Sequence, residues 1–91
     1  MATLETKLIQ IIRSKLADGD ADLETEPNGY VGGHIISSEF DGKDYEERRK
    51  RVKQILNDSV RNGELTAADL KKVSILLTYT PEEWNVDLEE A

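Results

Sequence analysis

No cysteine occurs in the chain, and histidine, tryptophan and phenylalanine occur once each among 91 residues. Without cysteine the chain forms no disulfide, no thiolate metal site and no cysteine nucleophile of its own. That absence fits a reducing compartment. A single imidazole without thiolates makes a poor metal site. No Ser-His-Asp arrangement or phosphate-binding glycine loop is legible, so the expectation is not an enzyme. Long apolar runs are missing too: nothing approaches the roughly 18 residues of a membrane span. The N-terminal residues lack the charged-then-apolar pattern of a signal peptide, so a cytoplasmic protein with no membrane contact is expected.

Charge is what the sequence has in quantity. Charged residues make up 34%, the net charge is −7 and the pI is about 4.6. An acidic balance argues against nonspecific nucleic-acid binding, which wants a basic footprint. The bases are unevenly placed, however: seven of the twelve Lys and Arg fall between Lys43 and Arg61. Leu, Ile, Val and Phe supply 23 of the 91 residues, above the roughly 20% below which a highly charged chain stays disordered. The length predicts one domain, residues 1–91, with a small core.

Apolar residues at Leu4, Leu8, Ile11, Ile12 and Leu16 predict an amphipathic helix from Thr3, its cap, to about Ala17. Acids at 18, 20, 22, 24 and 26 alternate with Ala21, Leu23 and Thr25, the pattern of a half-buried strand. Pro27, Asn28 and Gly29 form a turn, and Tyr30 to Phe40 reads as a second strand, antiparallel to the first. Gly32 and Gly33 mark a bulge or a close backbone approach. A helical pattern resumes at Tyr45 and stops at Asn62-Gly63. Thr66 and Asp69 frame a short third helix. Val73 to Thr78, apolar on both sides, suits a buried central strand. Thr80-Pro81-Glu82-Glu83 reads as a proline-primed capping box that starts a last helix and places Trp84 on its first turn, over the sheet.

Three features could carry chemistry. Asp18, Asp20 and Asp22 suggest a calcium loop, but Leu23 and Gly29 stand where that loop needs Gly and Glu. Gly29-Tyr30-Val31-Gly32 fits the G-x-x-G of KH domains, yet joins two strands rather than two helices. Glu47 to Lys53 is the strongest charge feature. Its bases suit phosphates or an acidic partner. They also suit an exposed helix face with Glu46–Lys50 and Glu47–Arg51 pairs.

Taken together, "SSEFDGK" (37–43), the basic helix from Arg48 and "VSILLTYTPEEW" (73–84) resemble the BolA-like proteins over nearly the whole chain. The matching positions are Ser37, Phe40, Gly42, Thr78, Thr80, Pro81 and Trp84. The resemblance implies an α+β fold similar to type II KH domains. Many family members pair with monothiol glutaredoxins and share an iron–sulfur cluster through Cys/His positions, and some are DNA-binding regulators of stress and cell shape. Here Arg49 stands for the histidine of the basic triplet, Lys72 for the histidine before the last strand, and Tyr30 for the loop Cys or His. The connection at 61–67 is also about seven residues longer than is typical of the family. Protonated Lys and Arg have no lone pair for iron, which leaves His34 as the one imidazole candidate.

The expectation is therefore an α-β-β-α-α-β-α domain with a three-stranded sheet and its helices packed on one face. Its role would be non-enzymatic, a binding or regulatory protein in stress or iron–sulfur homeostasis. It would act through a protein partner such as a monothiol glutaredoxin and need no cofactor. The alternative is a nucleic-acid-binding regulator using helix 48–53. The candidate contact residues are Arg48, Arg49, Lys50, Arg51, Lys53 and Lys72.

Overall fold

Each helix begins where a side chain can satisfy a free amide. In the computed structural model, which describes residues 3–90 and side chains through Asn85, Thr3 accepts from the Thr6 amide and starts α1, Leu4–Lys15. Asp44 accepts from Glu47 and starts α2, Tyr45–Arg61. Thr66 and Asp69 close a capping box on α3, Ala67–Lys71. Thr80 and Glu83 close another on α4, Pro81–Glu90. Each such cap contributes on the order of 1 kcal/mol. The strands are β1, Asp20–Thr25, β2, Val31–Ile36, and β3, Val73–Tyr79. Among the described residues the fold is thus a small α+β arrangement of four α-helices and one three-stranded mixed sheet.

The sheet order is β1-β2-β3, with β1 antiparallel and β3 parallel to β2. Three sequence expectations change here. The second strand ends at Ile36 rather than Phe40. Ser37 is fully buried and donates its hydroxyl to the Ala17 carbonyl at 2.6 Å. The same oxygen accepts the Glu39 amide and turns Ser38–Phe40 into a 3-10 helix. This drops Phe40, also fully buried, into the core.

The second change concerns β3, which lies at the sheet edge, while β2 is central. Its apolar residues face both ways: one side packs on the core, and on the other Trp84 covers Tyr79 while Ile75 and Leu77 stay exposed. Leu76 packs against the core formed by Leu8, Ile12, Leu23, Val31, Ile35 and Ile55. Tyr79 turns to the other face and packs tilted against His34 and edge-on against Trp84, with ring centroids 5.3 and 5.4 Å away. Trp84 also lies 5.1 Å from His34. The helices therefore do not all share one face. Apolar stripes on α1 and α2 cover one side, and the first turn of α4 covers part of the other. Among the described residues no helix is long and apolar enough to cross a membrane.

The glycine pair does what its position suggests. The β2–β3 register shifts between Val31 and Gly33. Gly33 has φ +146°, and a Cβ there would run into the Asp22 carbonyl of β1. Gly29, at φ +88° in the hairpin turn, has open space around it. In urea unfolding, Gly29→Ala should cost about 1–2 kcal/mol, the conformational term alone. Gly33→Ala should cost about 2–4 kcal/mol, because backbone must also move. Equal losses would show that β1 does not press on Gly33.

Candidate functional site

The basic run on α2 divides by helical geometry into anchored and outward-facing side chains. Arg48 is anchored, with its side chain only 14% exposed. Its Nε donates to the Lys43 carbonyl at 2.9 Å, and its guanidinium forks onto Glu83 at 2.7 and 3.3 Å. Nη1 also approaches the Thr78 carbonyl at 3.5 Å. Arg51 is anchored as well. It holds Glu39 of the 3-10 turn at 2.8 Å and donates to the Lys15 carbonyl at the end of α1. Arg51 thus prefers Glu39, brought near by the fold, over Glu47 one turn away on its own helix. Bidentate arginine–carboxylate pairing of the Arg48–Glu83 kind is geometrically selective in a way that lysine pairing is not.

Arg49, Lys50 and Lys53 are exposed and form no ion pair among the described residues. Tyr45, Arg49, Lys53 and Asn57 succeed one another at four-residue spacing, so they form one ridge along α2. That ridge borders a groove of about 520 Å³ between α2 and the free side of β3. Val52, Leu56, Leu70, Val73 and Leu76 supply its apolar lining, and Ile75 stands at its rim, 73% exposed. Sequence reasoning found the basic rim but missed the apolar floor. The available signal was Ile75, part of an apolar run that a sheet edge leaves half uncovered.

The other candidates sit elsewhere. Lys72 accepts the Val31 amide through its carbonyl at 2.9 Å, which sets Tyr30 and Lys72 side by side at the start of β2 and β3. Lys72 immediately precedes groove-lining Val73, so it stands at the groove's end. His34 is on the opposite face of the sheet, against Tyr79 and Trp84, and among the described residues its buried Nδ1 has no hydrogen-bond partner. The fold brings Tyr30 and Lys72 together, but a phenol and an ammonium, with the Arg49 guanidinium on α2, do not fit an iron–sulfur cluster. Among the described residues no group of three His, Cys, Asp or Glu side chains could hold a metal.

Comparison with protein-family models, with curated proteins and with solved structures returned no match. The likeness to BolA-like proteins rests on the motifs and element order alone.

Both capping-box carboxyls lie below their ordinary range. The Thr66 amide is the main cause for Asp69. For Glu83 it is the Arg48 guanidinium first and the Thr80 amide second. A folded-state value depressed below the ordinary 4.5 means that Glu83 stabilises α4 fully above that pH. The contribution is lost as pH falls through the depressed value. Trp84 emission should therefore hold steady from neutrality to about pH 5 and change only below the ordinary carboxyl range. Glu83→Gln should loosen Trp84 at neutral pH by about 1 kcal/mol, a modest figure because Glu83 is half exposed. Unaltered emission in that variant would show that the Arg48–Glu83 pair does not hold α4.

Proposed function

We propose that the protein is a non-enzymatic binding protein of the BolA-like kind that docks a protein partner on the groove between α2 and β3. The observation that carries this is the combination of an apolar, open floor with a cationic rim that the fold leaves unpaired among the described residues. Apolar surface surrounded by polar groups is the usual anatomy of a protein-docking site. The resemblance suggests a monothiol glutaredoxin as partner and a place in stress response or iron–sulfur homeostasis. Arg49 and Lys72 carry no lone pair for iron, and Tyr30 is neither the cysteine nor the histidine that the family uses, so the contact would rest on shape and charge and not on a shared cluster.

Titration of the labelled protein with a monothiol glutaredoxin, apo and cluster-loaded, tests this reading. Amide shifts should map to α2 and β3, around Arg49, Lys53 and Ile75, and be similar for both forms. An Arg49→Glu, Lys53→Glu double variant should weaken binding about tenfold or more, since each charge reversal at a rim acts on encounter and register. Shifts confined to the His34–Trp84 face would contradict the proposed surface.

A second reading has one observation in its favour: Arg49, Lys50 and Lys53 present three cations on one helix. Three phosphate contacts would give a salt dependence of about −2 to −3 in log–log slope. Anisotropy titrations with single- and double-stranded oligonucleotides check this, and a slope near zero would remove the reading.

A further inference from the structure

We propose that the occupant of the α2–β3 groove is an extended, acidic-apolar peptide segment that adds to β3 as a fourth strand. This rests on the protein-docking reading above and specifies its mode.

The backbone of β3 supplies the first reason. The Ser37 amide donates to the Tyr79 carbonyl at 2.9 Å, which fixes the phase of the parallel ladder. Lateral directions alternate along a strand, so Leu77 shares the β2-facing side of Tyr79, while Leu76 and Thr78 turn their N–H and C=O groups away from β2. The Thr78 carbonyl is the one that Arg48 approaches, so the Thr78 amide and both Leu76 groups are what the edge offers an added strand. β3 ends the sheet, so that side looks into the groove, which Leu76 and Thr78 both line.

The side chains supply the second. Natural edge strands are blunted with lysine, proline, inward charge or a bulge. β3 reads Val-Ser-Ile-Leu-Leu-Thr-Tyr, with no lysine, proline or charge, and its one irregularity falls between Val73 and Leu76, before the regular stretch Leu76–Tyr79. It spans about 23 Å, room for a strand of five or six residues beside it. Alternate residues of an added strand would point toward α2, where they meet Val52, Leu56 and the Arg49–Lys53 ridge. The intervening ones would point to the far face, beside exposed Ile75 and Leu77.

Charge selects the occupant. A second copy pairing β3 to β3 about a two-fold axis would set one Arg49–Lys53 ridge beside another, and the like charges repel. Acidic residues on the helix-facing side of the added strand meet the ridge with complementary sign. Backbone bonds would supply affinity and the flanking side chains specificity, as in other strand-addition complexes.

The test uses the whole protein and synthetic hexapeptides. Acetyl-Glu-Val-Leu-Val-Glu-Val-amide should bind, with amide shifts along β3 and α2. Replacing both glutamates by lysine should weaken binding at least tenfold, as should methylating alternate backbone nitrogens. The Arg49→Glu, Lys53→Glu variant should reverse the preference between the acidic and basic peptides. Equal binding of the methylated peptide would overturn strand addition and leave protein docking standing. No binding of the acidic peptide would also overturn it. In that case, an oligonucleotide that moves the same amides with a steep salt dependence would remove the docking reading as well. A dimer in gel filtration that Ile75→Lys dissociates would identify a second copy as the occupant instead.

Discussion

One guanidinium holds the groove in shape. Arg48 ties the loop before α2, the end of β3 and the first turn of α4 to a single planar group. Glu83 serves twice, because the oxygen that receives Arg48 also receives the Thr80 amide that caps α4. The cap, the strand end and the helix thus share one electrostatic anchor. An arginine suits this better than a lysine, since the fork satisfies both carboxylate oxygens in one plane. Arg48 also sits 6.0 Å from the Phe40 ring centroid, against the core residue that the 3-10 turn delivers. The basic helix is therefore held by the very residue type that, one position along, faces the solvent.

That division has a functional consequence. Arg48 and Arg51 are engaged by Glu83 and Glu39, which fixes the rotation of α2 about its axis. Val52, Ile55 and Leu56 then turn inward while Tyr45, Arg49 and Lys53 line the groove. The bulge at Gly32–Gly33 adjusts the β2–β3 register, and Gly33 lets β1 approach from the other side. On the far face, Trp84 covers His34 and Tyr79 but leaves Ile75 open. Cover on one side and exposure on the other make β3 asymmetric, with one edge and the neighbouring positive charge both unpaired among the described residues.

Much of the fold was legible in the sequence because its signals are local. Caps at Thr3, Thr66 and Thr80, the Asn28-Gly29 turn and helical spacing in α1 and α2 each depend on neighbours within a few residues. What was not legible depends on distant partners. Ser37 ends β2 because it finds the Ala17 carbonyl, twenty residues away. The position of β3 at an edge could not follow from its composition, since an apolar run looks the same between two strands or between two covering layers. The basic cluster was visible, but not its division into anchors and free charges. Helical spacing suggested Glu47 for Arg51, while the fold supplied Glu39. The groove floor was invisible for the same reason: Val52 and Leu76 are ordinary core residues until the open edge between them is known.

Amide hydrogen exchange of the free protein along β3 tests the free edge most directly. Leu77 and Tyr79, whose amides turn toward β2, should exchange slowly, with protection near that of the global fold. Leu76 and Thr78, whose amides turn into the groove, should exchange faster by orders of magnitude, producing an alternating pattern. Uniform protection at all four residues in the unliganded monomer would contradict the account, because it would mean that the edge of β3 is already paired.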